Sequence, residues 1–226
     1  MKLLAIDTAL STCAAAVLND DSGTMDIVSQ CEDLGRGHAE RIMSMVASVM
    51  AESSTTFNSL DRIVVNVGPG SFTGLRVGLS IARGFGLVLE KPVVSVTTLA
   101  AIAHEALDAT PIKKPILVVL DARRDEVYCQ KFDAAGAPIG EARVSTVKDL
   151  AHALDDETIL AGSAALAVAN AAGIEQSRVC NASAAASIDY IAKLGRTAHR
   201  QDKAPMPLYL RAPDAIPGEK GKVRRQ

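Results

Sequence analysis

Apolar and polar positions along this chain follow two periods, and the switching between them sets out its elements. Leu3 to Ala9 and Cys13 to Leu18 are short apolar runs divided by the polar turn Ser11-Thr12, so both read as buried strands. Asn19-Asp20-Asp21-Ser22-Gly23 is a hairpin loop, and a third strand follows around Met25 to Glu32. Gly37-His38-Ala39-Glu40 opens a helix to about Glu52, with Ile42, Met45, Val46, Val49 and Met50 on one face. Most of that face is expected to cover the sheet. Whichever of Met43, Met45 and Met50 the sheet leaves bare would offer adaptable contact surface. Ile63 to Val67 is another buried strand; Gly68-Pro69-Gly70 is a turn, and Ser71 sits where a helix N-cap sits. Phe72 to Leu89 then runs at helix length to the stop at Lys91-Pro92. Val93 to Val96 reads as a strand, and Thr97-Thr98 caps an alanine-rich helix from Leu99 to Leu107.

The segment 108–115, with Pro111 and Pro115, is the best boundary in the sequence. Past it, Ile116 to Arg123 repeats the opening theme of an apolar strand ending in Asp. Glu126 to Asp133 is its returning strand, with Val127, Cys129 and Phe132 as apolar members. Val147–Leu154 reads as a helix, Thr158–Leu160 as a strand, and Ala164–Ala172 and Ser183–Ala198 as helices. Pro205 to Pro213 is extended and should fold back on the body. Three strands followed by helix, strand, helix and strand resemble a ribonuclease-H-like half-domain, duplicated in the actin, Hsp70 and sugar-kinase superfamily. The fold expected is therefore α/β with two such halves, 1–110 and 111–217, the second reduced, and a disordered basic tail at 218–226.

The helix after Ser71 carries Gly74, Gly78, Gly84 and Gly86 in its interior, each costing about 1 kcal/mol relative to alanine. Gly74, Gly78, Ala82 and Gly86 recur every four residues and form a ridge of minimal side chains for a closely approaching backbone. Val77, Ile81 and Phe85 are the larger groups suited to filling a core, so the small ridge is expected at least partly on a partner interface. The turn before it does not fit a phosphate loop. Gly70 and Gly74 enclose three residues and are followed by Leu75-Arg76, where a Walker A loop needs four and then Lys-Ser/Thr. The dinucleotide pattern fails because Thr73 stands at the third glycine position.

Net charge narrows the functional classes. It is −2 overall, and without residues 219–226 the body holds 20 basic and 25 acidic residues, a charge of −5. With no Trp, three Tyr and four Phe, neither an electrostatic footprint nor a stacking platform for nucleic acid is present. Cys13, Cys31, Cys129 and Cys180 are widely spaced, which suits reduced thiols in a cytoplasm. No apolar run reaches the roughly 18 residues of a membrane span. His104, His152 and His199 are isolated, so no metal is expected, and no base is nominated for Ser71 as a nucleophile.

Gly68-Pro69-Gly70-Ser71-Phe72-Thr73-Gly74-Leu75-Arg76 resembles the signature of the TsaB (YeaZ) family, bacterial partner subunits in threonylcarbamoyladenosine synthesis on tRNA. His38-Ala39-Glu40-Arg41 and Leu208-Tyr209-Leu210-Arg211 are similar to further family segments. The resemblance implies a non-catalytic scaffold without cofactor that binds the catalytic subunit TsaD, works in a cycle with the ATPase TsaE, and self-associates when alone. It implies contact with tRNA, modified at adenosine 37, only through the complex. TsaD carries a His-x-x-x-His motif, whereas His38 here is followed by Ile42. The expected partner surface comprises His38, Arg41, Ile42, Met45, Gly74, Arg76, Gly78, Ala82 and Gly86. Asp7 and Asp121 occupy the positions of acidic phosphate-loop residues in the actin-like superfamily. Thr8-Ala9 and Ala122-Arg123 supply no glycine for backbone approach to phosphate, so both read as remnants. The rival reading is a small actin-like kinase or ATPase.

Overall fold

The strands form where β-branched and aliphatic residues alternate between two covered faces. The computed structural model describes residues 1–21, 23–111, 113–200 and 203–211. The first sheet comprises β1 (Lys2–Asp7), β2 (Thr12–Asn19), β3 (Asp26–Asp33), β4 (Arg62–Asn66) and β5 (Val93–Val96), in the order β3-β2-β1-β4-β5. β1 pairs antiparallel with β2 and parallel with β4, which places Asp7 opposite Ala14. The second sheet comprises β6 (Ile116–Asp121), β7 (Glu126–Phe132), β8 (Pro138–Thr146), β9 (Ile159–Ala161) and β10 (Val179–Asn181), in the order β10-β9-β6-β7-β8. Read from the other edge, that order is the order of the first sheet. The internal duplication, coarse in sequence, is complete in topology.

Helices complete each repeat at equivalent places. They are α1 (His38–Glu52), α2 (Phe72–Leu89) and α3 (Thr98–Ala109) in the first, and α4 (Val147–Ala153), α5 (Ala165–Ala172) and α6 (Ile188–Thr197) in the second. Strand parity sorts the layers. Leu4, Ile6, Val17, Ile63 and Val65 face α1 and α2; Leu3, Ala5, Leu18 and Val64 face inward to a core shared with α3, α6 and the second sheet. Leu117, Val119 and Leu160 face α4 and α5 on the far side. The last helix of each half packs on the sheet of the other: α3 on β6, β7, β9 and β10, and α6 on β1 to β5. Gly195 of α6 lies against the Val64 side chain, and Arg62 of β4 donates to the Gly195 and Ala198 carbonyls at the end of α6.

Two expectations needed correction. β8 and β10 were not visible as strands, because β8 is a mostly exposed edge interrupted by Pro138 and Gly140 and β10 has three residues. The last helix starts at Ile188 rather than Ser183, since Ser183 spends its amide and hydroxyl in a local turn with Asn181 and Ala185. As the sequence indicated, no run of 18 apolar residues exists, although α2, at 18 residues with mean hydropathy 1.3, is long and apolar enough by length and composition alone to cross a membrane. Its small-residue side is packed on β1. The basic tail at 218–226 lies outside the described residues.

The glycines of α2 give the first test. A Cβ at Gly74 would run into the Thr8 carbonyl oxygen, whereas Gly84 has open space around it. Gly74→Ala should destabilise the chain by about 1–3 kcal/mol through overpacking against backbone. Gly84→Ala should stabilise it by about 0.5–1 kcal/mol through helix propensity. Denaturant unfolding of the two single variants measures both, and equal effects would contradict the inward ridge.

Candidate functional site

Two regions carry the residues singled out by sequence: the turn after β1, and the outward face of α1 and α2. At the first, the β1–β2 turn and the N-terminus of α2 meet backbone to backbone. Ser71 N–H donates to the Ala9 carbonyl, and Gly70 and Gly74 lie against the carbonyls of Ala9 and Thr8, where any Cβ would collide. The Thr8 hydroxyl donates to the Gly74 carbonyl at 2.7 Å, and Ser71 caps α2 by accepting from Gly74 N–H. The space beside the Thr8-Ala9 backbone is therefore filled by the chain's own helix.

Asp7 is buried beneath this contact. Its Oδ1 accepts from Ala9 N–H at 2.8 Å and from Asn66 Nδ2 at 3.0 Å. Asn66 Oδ1 in turn accepts from Gly68 N–H and the Thr98 hydroxyl, which ties the ends of β1, β4 and α3 together. Burial pushes the Asp7 carboxyl up to about 6, against smaller opposing effects of the Ala9 and Asn66 hydrogen bonds and the His38 charge. Asp121 holds the equivalent turn, its Oδ1 accepting from Arg123 N–H at 2.7 Å, but it is exposed. The two aspartates thus repeat a structural turn, one in the core and one at the surface. Among the described residues, no group of three His, Cys, Asp or Glu side chains is placed to hold a metal ion.

The helical face expected at a partner interface divides. Ile42 and Met45 are fully buried under α1, and His38 is nearly so, its Nε2 without a hydrogen-bond partner. Gly74, Gly78, Ala82 and Gly86 are likewise buried, against Thr8, Val65 and Val93. The expectation that these residues form an outward surface is corrected. The small ridge exists to let α2 approach β1 and the Thr8-Ala9 backbone, while the larger Val77, Ile81 and Phe85 pack at its flanks. Arg41 and Arg76 do reach the surface. Arg41 pairs with Glu32 of β3, and Arg76 lies over the Phe72 ring with its Nε donating to Tyr209 at 3.2 Å.

What lies outward instead is Leu87 at 81% exposure, Val88 at 79% and Met43 of α1 at 48%. Once Gly74, Gly78, Ala82 and Gly86 are turned inward, the 3.6-residue period puts Leu87 and Val88 outside, so the sequence held the signal. Segment 203–211 straps one side of α2, as the extended reading anticipated. Leu208 N–H donates to Val67 O at 2.8 Å, Tyr209 meets Phe72, and Arg83 donates to Pro205 O. Arg211 crosses to the second half, donating to Ala122 O and pairing with Glu126.

Residues 31–199 match the family model described as TsaD, tRNA N6-adenosine threonylcarbamoyltransferase. The tRNA threonylcarbamoyladenosine biosynthesis protein TsaB of Escherichia coli is 36% identical over 150 residues, covering 66% of this chain and 63% of that protein. The chain thus spans less than two thirds of that relative. An uncharacterized protein of Mycobacterium tuberculosis is 35% identical over 222 residues, covering 95% of this chain and 94% of its own. A crystal structure of a Pseudomonas aeruginosa protein similar to peptidase YeaZ superposes with a TM-score of 0.77 at 26% identity, covering 93% of this chain and 99% of that one.

Asp7 supplies a pH test. A carboxyl raised in the folded chain contributes stability fully below its unfolded value of 3.8, and that contribution is lost as pH rises through about 6. Asp7→Asn keeps the acceptor for Ala9 and Asn66 and removes the titration. Between about pH 4 and pH 7 the native chain should therefore lose up to roughly 3 kcal/mol relative to the variant. Urea unfolding across that range checks it, and a constant difference would refute the buried-carboxyl account.

Proposed function

Because this chain belongs to the TsaB (YeaZ) family, we propose that it is a cytoplasmic, non-catalytic subunit of the apparatus that makes threonylcarbamoyladenosine at adenosine 37 of tRNA. It binds the transferase TsaD, works in a cycle with the ATPase TsaE, and pairs with a second copy when TsaD is absent. The observation that carries the reading is the outward face of α1 and α2. Leu87, Val88 and Met43 are large apolar groups left bare on a rigid helical pair whose inner sides are fully used by the core. Exposed apolar surface on so well anchored an element suits a protein partner. Arg76 and Phe72 are stacked and partly exposed at the other end of α2, and Arg with aromatic residues is the composition enriched at interface anchors.

The non-catalytic reading is supported by the turn after β1. There Gly70, Ser71 and Gly74 pack on the carbonyls of Ala9 and Thr8, the Thr8 hydroxyl is spent on Gly74 O, and the Ala9 N–H that a phosphate would need is spent on Asp7, which also holds Asn66. The body charge of −5 supports indirect rather than direct contact with tRNA.

The test is the double variant Leu87→Glu, Val88→Glu. Both side chains are almost fully exposed, so its melting temperature should match that of the native chain. Its affinity for TsaD should fall by roughly tenfold or more, and threonylcarbamoyladenosine formation by TsaD, TsaE and this chain should fall with it. Native-like binding and modification by the folded double variant would reject this face as the docking site.

A further inference from the structure

The far face of the second sheet is only partly covered by its helices. In the β7–β8 pair, Cys129 stands opposite Arg143 and Lys131 opposite Ile139, so residues 140–142 face Gln130 alone. A bulge of this kind bends the edge strand away from its neighbour. Helix α4 has seven residues and ends at Ala153, too short to cover the bend. Between them is a cavity of about 200 Å³. Its apolar lining includes Leu117, Cys129 and Leu150, all buried, and its charged lining is Lys131, Glu141, Arg143 and Asp155.

The four charges are not equivalent. Lys131 and Asp155 close on each other at 2.7 Å, and the Lys131 hydrogen bond holds the Asp155 carboxyl well below the usual range. Glu141 and Arg143 enter no ion pair with another described residue. The Arg143 guanidinium lies by the Cys129 thiol, opposing the upward push of burial there. One cation and one anion, two residues apart on a bent strand, are thus left beside an apolar void. A simple anion would meet Glu141 and a simple cation would meet Arg143. A zwitterion with an apolar side chain satisfies both. Since a cavity of roughly 150 Å³ takes a benzene-sized molecule, this one suits an aliphatic side chain of about four carbons.

We propose that this cavity binds an aliphatic α-amino acid, its carboxylate on Arg143, its ammonium on Glu141 and its side chain over Leu117, Cys129 and Leu150. The site is separate from the α1–α2 docking face and does not depend on it. The test uses the full chain with leucine as probe, followed by amide chemical shifts and by the rate of Cys129 alkylation. Saturable shifts are expected at residues lining the cavity, together with slower alkylation of Cys129. Hexanoate and hexylamine, each lacking one charge, should bind roughly tenfold more weakly or worse, as should leucine to Arg143→Gln or Glu141→Gln. Both of those residues are exposed, so the variants keep the fold. Ala153→Leu, on the exposed side of α4, should occlude the cavity and abolish the shifts. The proposal is overturned by any of three results: no saturable shift at millimolar leucine, hexanoate or hexylamine binding as tightly as leucine, or shifts unchanged in Arg143→Gln and Glu141→Gln.

Discussion

The contact between the N-terminal turn of α2 and the backbone of Thr8-Ala9 is the constraint on which the first half depends. Gly70 and Gly74 bring two stretches of main chain together with no side chain between them, and the Ser71 amide and Thr8 hydroxyl bond across the junction. That approach draws α2 down along β1, so Gly78 reaches Thr8 and Gly86 reaches Val93. It also seals Asp7 from water, leaving Ala9 N–H and Asn66 to satisfy the carboxyl. The interior glycines of α2 reduce helix propensity, and the close packing they permit offsets that cost.

The second organising feature is exchange between the repeats. Each half builds five strands in the same order, yet α3 and α6 each lie on the opposite sheet, so neither half has a complete core of its own. Arg62 at the end of α6, Tyr190 to Asp108 between α6 and α3, and Arg211 against Ala122 and Glu126 reinforce the junction. A cleft that opens and closes around a nucleotide would have to disturb these contacts together.

Burying the small ridge also gives α2 its outward character. The helix buries its minimal groups together with Leu75 and Leu79, packs Val77, Ile81 and Phe85 at the flanks, and leaves Leu87 and Val88 of its last turn outside. The adjacent strap at 203–211 packs Tyr209 on Phe72 and accepts from Arg76 and Arg83, tying the N-terminal part of the helix to the end of the described chain.

Much of this was determined locally. Apolar runs placed β1, β2, β4, β5, β6 and β7, because buried strands need aliphatic residues whatever surrounds them. Ser71 and Thr97 marked their helix starts through capping chemistry that involves only neighbouring residues. The motif from Gly68 to Arg76 carried the family. Tertiary structure decided which way the glycine ridge faced, since four-residue spacing defines a stripe on a helix but not the object against it. It decided that Asp7 is buried and Asp121 exposed, although both end apolar strands and make the same turn. It also created the β7–β8 cavity, because a bulge and a helix too short to cover it are properties of pairing and packing that no single stretch of sequence contains.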